Sequence, residues 1–154
     1  MVGVLRPRNE TEFIHELKAW FIKTQKGQCY FERVSGMSGH PDVKFGMIGP
    51  KGVPVAFEME AKWMNHKPRT LASVWNLLRK NQQLTMTKLA AFGRTIYLTV
   101  CINGREAWWY KFHPDMCARS LAGKVKPWEV IYLSKVGRRD FLGRWELGES
   151  ADEN

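Results

Sequence analysis

Apolar residues recur at helical spacing near the start of the chain and at alternating positions in the segments that follow. Phe13, Leu17 and Phe21 fall on one side of a helix predicted over residues 10–25, with Asn9 or Thr11 as its cap. Strands are predicted over 28–34, 43–48 and 53–63, and the Gly-Pro-Lys-Gly run at 49–52 makes the last two a hairpin.

A second helical pattern covers 70–92, with a break near Asn81, and Gly93 ends it. Buried strands over 95–102 and 107–112 follow as a further hairpin. Beyond them we predict a short helix at 114–121, a strand at 129–133 and a basic turn at 137–140. This order predicts an α/β (α+β) fold with a central mixed β-sheet flanked by helices.

The size of the chain, 154 residues with 44% hydrophobic residues, is that of one domain with one core. We divide it into a core over 1–113 and an extension of the same domain over 114–154, ending in an acidic tail. No apolar run has the length of a membrane span or signal peptide, so we expect a cytoplasmic, intracellular protein, associated with the nucleoid when bound to DNA. The odd number of cysteines, three, predicts reduced thiols.

The positive charge is concentrated in the body of the chain. All 24 lysines and arginines lie in residues 1–145 with 11 of the 15 acids, so this part carries a net +13. No acid lies between Glu60 and Glu106, an interval that contains eight basic residues. Such a segment favours a polyanionic partner, because basic side chains near phosphates release condensed counterions. The alternative is a basic surface without a partner.

The third predicted strand has two unlike faces. Side chains alternate along a strand, so Glu58, Glu60 and Lys62 share one face while the residues between them, all apolar, form the other. Asp42 immediately precedes the second strand, and the hairpin therefore brings Asp42 and Glu60 together near its open end. An ordinary amphipathic strand would show the same alternation without a site.

Hydrolysis of a phosphodiester needs a hard cation to neutralise phosphate oxygens and to lower the pKa of an attacking water. Asp42, Glu60 and the backbone carbonyl of Ala61 are candidate ligands. Lys62 could orient the water and stabilise charge on the phosphate. Since no histidine or cysteine pair has ligand spacing, the pattern favours Mg²⁺ or Mn²⁺ over zinc.

Pro41-Asp42 followed by Glu60-Ala61-Lys62 resembles the PD-(D/E)xK nuclease superfamily, and within it the VRR-NUC branch and the related Holliday junction resolvases. That branch shows a glutamate in its first helix, a Gly-x-Pro-Asp turn, a Glu-x-Lys strand and a glutamine about eleven residues before a glycine. This chain has Glu12, Gly39-His40-Pro41-Asp42, Glu60-Ala61-Lys62, and Gln82 before Gly93. The resemblance spans roughly residues 10–102 and rests on short motifs in a fixed order.

The resemblance implies a restriction-endonuclease-like core in which Glu12 and Gln82 join the catalytic group. Glu16 lies one turn from Glu12 and could replace it, and Gln83 competes with Gln82. The extra acid Glu58 could hold a second metal or bind an arginine, of which we favour the arginine.

The expected function is a divalent-metal-dependent DNA endonuclease, and the resemblance implies branched DNA such as a Holliday junction, cut by a homodimer. A restriction-like or nicking endonuclease of duplex DNA is the alternative within the enzyme class. From other classes, a non-catalytic nucleic-acid-binding module and a protein-interaction protein with a Trp-rich surface remain open. The residues expected to hold the DNA backbone are Lys67, Arg69, Arg79, Lys80 and Lys88.

The run Trp108-Trp109-Tyr110 alternates across a strand, so at least one of these rings points away from the main core. Such a ring could stack on a base or pack against a dimer partner, although we expect packing within the chain.

Overall fold

A computed structural model describes residues 7–24, 28–34, 39–48, 52–123, 132–140 and 145–147. Its elements in chain order are α1 (Glu10–Thr24), β1 (Cys29–Arg33), β2 (Val43–Ile48), β3 (Pro54–Met64), α2 (Leu71–Trp75), α3 (Lys80–Ala91), β4 (Ile96–Ile102), β5 (Glu106–Phe112), α4 (Pro114–Leu121), β6 (Leu133–Asp140) and β7 (Trp145–Leu147).

The strands form one seven-stranded sheet in which spatial order follows chain order from β1 to β7. Neighbours are antiparallel except β3 and β4, which run parallel because α2 and α3 form the crossover between them. The predicted α+β fold with a mixed sheet flanked by helices is therefore confirmed.

Apolar residues cover both faces of the sheet. On one face, Phe13, Leu17 and Phe21 of α1 pack with Met59 and other side chains from β2 to β5. On the opposite face, α2, α3 and α4 pack over even-numbered residues of β4 and β5, with Val74, Met86, Leu98, Tyr110 and Cys117 among the buried side chains.

The Trp108-Trp109-Tyr110 run is explained by these two cores. Trp109 lies in the core under α1, whereas Tyr110 is buried and Trp108 is half-buried on the other face. The prediction that one ring leaves the α1 core is confirmed.

The helix at α1 begins where the sequence predicts, and its cap is Asn9. The Asn9 side chain accepts a hydrogen bond from the backbone N–H of Glu12 at 2.9 Å, and its carbonyl accepts from Phe13 at 3.0 Å. Such a cap satisfies backbone donors that have no partner inside the helix.

One prediction was wrong, and another falls partly outside the described residues. The predicted break in the helical region over 70–92 is present, at residues 76–79, a few positions before Asn81. The turn predicted at 137–140 is instead part of β6, which pairs with β5, so backbone pairing overrides the Gly-Arg-Arg turn signal. The strand predicted at 129–133 lies outside the described residues up to 131, as does the acidic tail from 148.

Among the described residues, Cys29, Cys101 and Cys117 are not joined in disulfides. No helix in this part of the chain is long and apolar enough to cross a bilayer.

Candidate metal centre and active site

The candidate site lies where β2 ends beside the longer strand β3. The last paired residues are Val43 of β2 and Met59 of β3, so β3 continues beyond its neighbour. Asp42, just before β2, turns its carboxylate into this gap and accepts a hydrogen bond from the backbone N–H of Ala61 at 3.2 Å. The hairpin thus brings the Pro-Asp turn and the Glu-Ala-Lys strand together, as the sequence predicts.

The carbonyl of Ala61 points toward the same gap. In a strand, the N–H and C=O groups of one residue face the same neighbouring strand. The Glu58 N–H donates to Thr95 and the Met64 carbonyl accepts from Asn103, so even-numbered residues of β3 face β4. The backbone of Ala61 must therefore face β2, which has ended at this level, and its carbonyl is free of the ladder there.

Glu60 is buried on the opposite side of β3 from Ala61, with only 1% of its surface exposed. Its Oε2 accepts a hydrogen bond from Nε2 of Gln82 on α3 at 3.0 Å. Gln82 Oε1 in turn accepts from the backbone N–H of Arg79 at 2.9 Å. Because a backbone N–H can only donate, this contact fixes which end of the amide faces Glu60.

Lys62 completes a network with the same two side chains. Its ammonium nitrogen lies 3.4 Å from Glu60 Oε2 and 3.3 Å from Gln82 Oε1. The three side chains hold one another in place, and Lys62 is largely but not fully buried, with 17% of its side chain exposed. The structure therefore brings Glu60, Lys62 and Gln82 into contact, as the sequence analysis expects.

Glu10, at the start of α1, supplies a third carboxylate. Glu10, Asp42 and Glu60 each present an oxygen within 4.8 Å of the others. Glu10 precedes Phe13 by three residues and Leu17 by seven, so it continues the apolar side of α1 that faces the sheet. The start of the helix is also tied to β3, since Trp63 Nε1 donates to the carbonyl of Pro7 at 2.9 Å.

Glu12, the helix acid that the resemblance implies for the catalytic group, lies away from these carboxylates. Two residues along a helix correspond to about 200° of rotation, so Glu12 points away from Asp42 when Glu10 points toward it. Its carboxylate is bound by the side chain of Arg8 at 3.0 Å and by the backbone N–H of Arg8 at 3.1 Å. These hydrogen bonds lower the pKa of Glu12.

The alternatives left open for the other positions are also decided by geometry. Glu16 is not part of the acidic group found among the described residues. Gln83 donates to the carbonyl of Trp75 at 3.1 Å and so binds the last residue of α2. Gln82, in contrast, donates to Glu60 in the site. The favoured role of Glu58 is confirmed, because its carboxylate binds Arg94 Nε at 2.6 Å.

Two of the three acids of this group, Glu60 and Glu10, have raised pKa values. Burial, and then the charge of Asp42, raise the pKa of Glu60 to about 8, against the opposing effect of Lys62. Partial burial also raises the pKa of Glu10, although much of its side chain is exposed. A carboxyl group this perturbed is typical of functional sites.

The donor set fits a hard divalent cation. It consists of oxygens only, from Glu10, Asp42, Glu60 and the carbonyl of Ala61, which suits Mg²⁺ or Mn²⁺. Within the described part of the chain, Glu60 Oε1 is buried and has no hydrogen-bond partner. A buried carboxylate oxygen without a donor is costly, and a bound cation would satisfy it.

The turn that carries Asp42 is held against α3 by Gly39. This residue is buried, has φ +79°, and a Cβ built on it would lie 2.6 Å from both Asn81 O and Thr85 Oγ1. Only glycine combines that backbone conformation with such a close approach. The first glycine of the Gly-x-Pro-Asp motif therefore positions Asp42 through the same helix that carries Gln82.

The basic residues expected to hold DNA are all exposed but lie at different distances from the acids. Arg79 and Lys80 begin α3, beside Gln82. Lys88 is six residues further along the helix, about 9 Å from Gln82 along the axis. Lys67 and Arg69 lie in the connection from β3 to α2 and line a cleft with Lys135 of β6.

Comparison with family models gives no match, and comparison with curated proteins gives none either.

Proposed function

We propose that this protein is a divalent-metal-dependent DNA endonuclease with a restriction-endonuclease-like core. The observation that carries the proposal is the convergence of three carboxylates, from Glu10, Asp42 and Glu60, beside the ammonium group of Lys62. These groups come from three separate segments, and their assembly raises the pKa of the buried Glu60 to about 8, chiefly through burial. Binding a cation offsets that cost.

The residues that would hold the cation are Glu10, Asp42 and Glu60, with the carbonyl of Ala61. A bound Mg²⁺ or Mn²⁺ would neutralise the charge of the phosphate oxygens and would lower the pKa of an attacking water. The carboxylates fix the position of that charge at the gap beside β2, where the strand edge is open.

Lys62 is the group that can act on the reacting atoms. Its ammonium group donates hydrogen bonds to a water or to a phosphate oxygen and stabilises negative charge that develops there. Its partly exposed side chain reaches the solvent side of the site, whereas Glu60 is enclosed.

Gln82 acts through its neighbours and is a positioning residue. Its amide accepts from Lys62 and donates to Glu60, and the backbone of Arg79 fixes its orientation. It therefore holds the acid and the amine in a fixed relation, which a hydrophobic residue of the same size could not do.

Arg79 and Lys80 are the basic side chains nearest to this network along the chain, and they support backbone binding next to the scissile phosphate. A preference for branched DNA, and action as a homodimer, rest on the resemblance to junction resolvases alone. Both are part of the proposal. The preference for branched DNA is tested by comparing substrates, and the homodimer is tested by light scattering.

The test is a cleavage panel with linear duplex, single strand, flap and four-way junction, each in Mg²⁺, Mn²⁺ and EDTA. We expect cleavage in either metal and none in EDTA, with the junction preferred. Lys62→Met and Asp42→Asn should each reduce the rate at least about a hundredfold, because they remove charge stabilisation or a ligand. Lys18→Met, a substitution at an exposed lysine of α1, is the matched control and should leave the rate unchanged.

Cleavage that persists in EDTA, or that Lys62→Met leaves intact, contradicts the assignment. Preferential cutting of linear duplex would favour the restriction-like or nicking alternative. DNA binding without product in any metal would favour a non-catalytic binding module.

A further inference from the structure

A second feature of the surface is a cleft of about 540 Å³ between α2 and the strands β5 and β6. Among the described residues, the charged ones that line it are Lys67, Arg69 and Lys135, all of them basic. Hydroxyl groups of Thr70, Ser134 and Tyr110 also line it. Burial, and the nearby charge of Glu106, raise the pKa of Tyr110 to about 12, so its phenol stays protonated and can donate a hydrogen bond.

Both lysines of the cleft contact the same indole ring, that of Trp108. The ammonium nitrogens of Lys67 and Lys135 lie 4.4 and 4.3 Å from the centre of the Trp108 ring. They are therefore no more than about 9 Å apart, which is close enough for both to contact the same stretch of a polyanionic backbone. Trp108 is itself oriented by its Nε1, which donates to Glu106 at 3.0 Å.

Ion pairs within the described part of the chain do not neutralise these cations. The ion pairs found among the described residues include Arg8 with Glu12, Lys62 with Glu60 and Arg94 with Glu58, and they involve no basic residue of the cleft. Glu106 is the acid beside the cleft, and it contacts the edge of the Trp108 ring. One acid beside three basic side chains leaves the cleft with an excess of positive charge, which would attract a polyanion.

The cleft lies on the same face of the sheet as the candidate active site. Glu60 pairs with Leu98, Leu98 with Tyr110, and Tyr110 with Lys135, so these four residues form one row across β3 to β6. At about 4.8 Å between strands, Tyr110 is two strands or about 10 Å from Glu60, and Lys135 is about 14 Å away. Those distances correspond to roughly three to four base-pair steps of duplex DNA.

We propose that this cleft is a second phosphate-binding subsite, which holds the DNA backbone three to four nucleotides from the bond cut at Lys62. Lys67 and Lys135, carried on Trp108, bind the phosphate, and Arg69 and the hydroxyl groups complete the subsite. The inference rests on the proposed function, because it states where the DNA of that reaction lies. The cleft is separate from the metal centre, so an experiment can contradict the phosphate subsite without contradicting the endonuclease activity, or the reverse.

The first experiment measures DNA binding by fluorescence anisotropy in a Lys62→Met background, in which no DNA is cut. The test variant is Lys67→Ala with Lys135→Ala, and the control is Lys18→Ala with Lys23→Ala, which removes the same charge from exposed positions of α1 on the other face. Circular dichroism and thermal melting establish that each variant is folded. We expect the test variant to weaken binding about tenfold and to reduce the slope of log Kd against log salt by about two, while the control changes neither.

The second experiment replaces single phosphates by neutral methylphosphonates along the DNA. Binding by the parent protein should weaken when the neutral linkage lies three to four nucleotides from the cleavage position. The same linkage should have no further effect on the Lys67→Ala, Lys135→Ala variant, because the contact is already lost.

An unchanged Kd and an unchanged salt slope in the test variant would overturn the subsite, even if the protein cuts DNA efficiently. The subsite is also overturned if the control variant loses as much affinity as the test variant, since net charge would then explain the loss. If the test variant shows the reduced salt slope but no metal supports cleavage, the cleft stands as a DNA-phosphate contact, its stated distance from a cut bond is withdrawn, and the endonuclease proposal fails.

Discussion

Replacing Glu60 by glutamine should stabilise the protein at high pH, although removing one member of a buried charged pair usually destabilises a protein. The amide oxygen can accept the hydrogen bond from Gln82, and the amide NH₂ can donate to Asp42, as a protonated Glu60 would. The glutamine side chain therefore imitates the protonated, uncharged form of Glu60 at every pH. In the absence of metal we expect Glu60→Gln to match the parent protein in stability at pH 5 and to exceed it at pH 9.

The magnitude follows from the pKa of Glu60, which rises from 4.5 to about 8 in the folded protein, through burial first and Asp42 second. Between these two values the unfolded chain has lost a proton that the folded chain retains, so the free energy of unfolding falls as pH rises. At about 1.36 kcal/mol per unit the full loss would be about 5 kcal/mol. Relaxation and entry of water reduce it, and we expect a difference of about 2 to 5 kcal/mol at pH 9.

The assay is urea unfolding of both proteins in EDTA from pH 5 to 9, followed by circular dichroism. Subtracting the two curves isolates Glu60, since all other titrating groups are shared. The melting temperatures should separate by roughly 4–20 °C at pH 9. Adding Mg²⁺ at pH 8–9 should stabilise the parent protein by about 2.7 kcal/mol at a concentration of 100 Kd and should not stabilise the variant.

Glu58→Gln is the matched control, because Glu58 lies on the same face of β3 but binds Arg94 and not another acid. We expect this change to lower stability without a crossover in pH. Parallel pH curves for the parent protein and Glu60→Gln would refute the reasoning, and so would a parent protein that gains stability between pH 5 and 9 relative to the variant.

Three further substitutions separate the roles of neighbouring residues. Glu10→Gln should weaken Mg²⁺ binding, measured by calorimetry, by about tenfold or more through loss of a ligand, whereas Glu12→Gln should change metal affinity by less than about twofold. Equal effects of the two would contradict the placement of Glu10. Gly39→Ala should cost about 2 to 4 kcal/mol in urea unfolding, from a positive φ and a clash with α3, whereas Gly52→Ala, with φ +74° and no atom within 4 Å, should cost only about 1 kcal/mol. Gln82→Leu should lower kcat at least about tenfold with KM little changed, because the hydrogen bonds to Glu60 and from Lys62 are both lost. A normal kcat for this variant would disprove the positioning role of Gln82.

Much of the site could be predicted because its central part is local in sequence. The alternation along β3 places Glu60 and Lys62 on one face, and a hairpin of fixed register brings Asp42 opposite Glu60. Gln82 followed from the resemblance alone, which implies a glutamine about eleven residues before a glycine, here Gly93. Glu12, which the resemblance implied, lies away from the acids, because the start of a helix fixes which residue faces the sheet and a shift of two residues turns the side chain to the opposite side. The signal that could have identified Glu10 is its spacing from Phe13 and Leu17.

The sequence by itself determined the helices, most strands and the motif residues, since these depend on periodicities and turn residues that act over a few positions. The tertiary structure decided how far segments remote in the chain converge. It joins Glu10 to Asp42 and Glu60 through the packing of α1, and it sets Lys135 beside Lys67 on Trp108 through the pairing of β5 with β6. Such contacts depend on packing angles and strand register, which no local pattern encodes. The raised pKa of Glu60 likewise depends on burial, and burial is a property of the assembled sheet and helices.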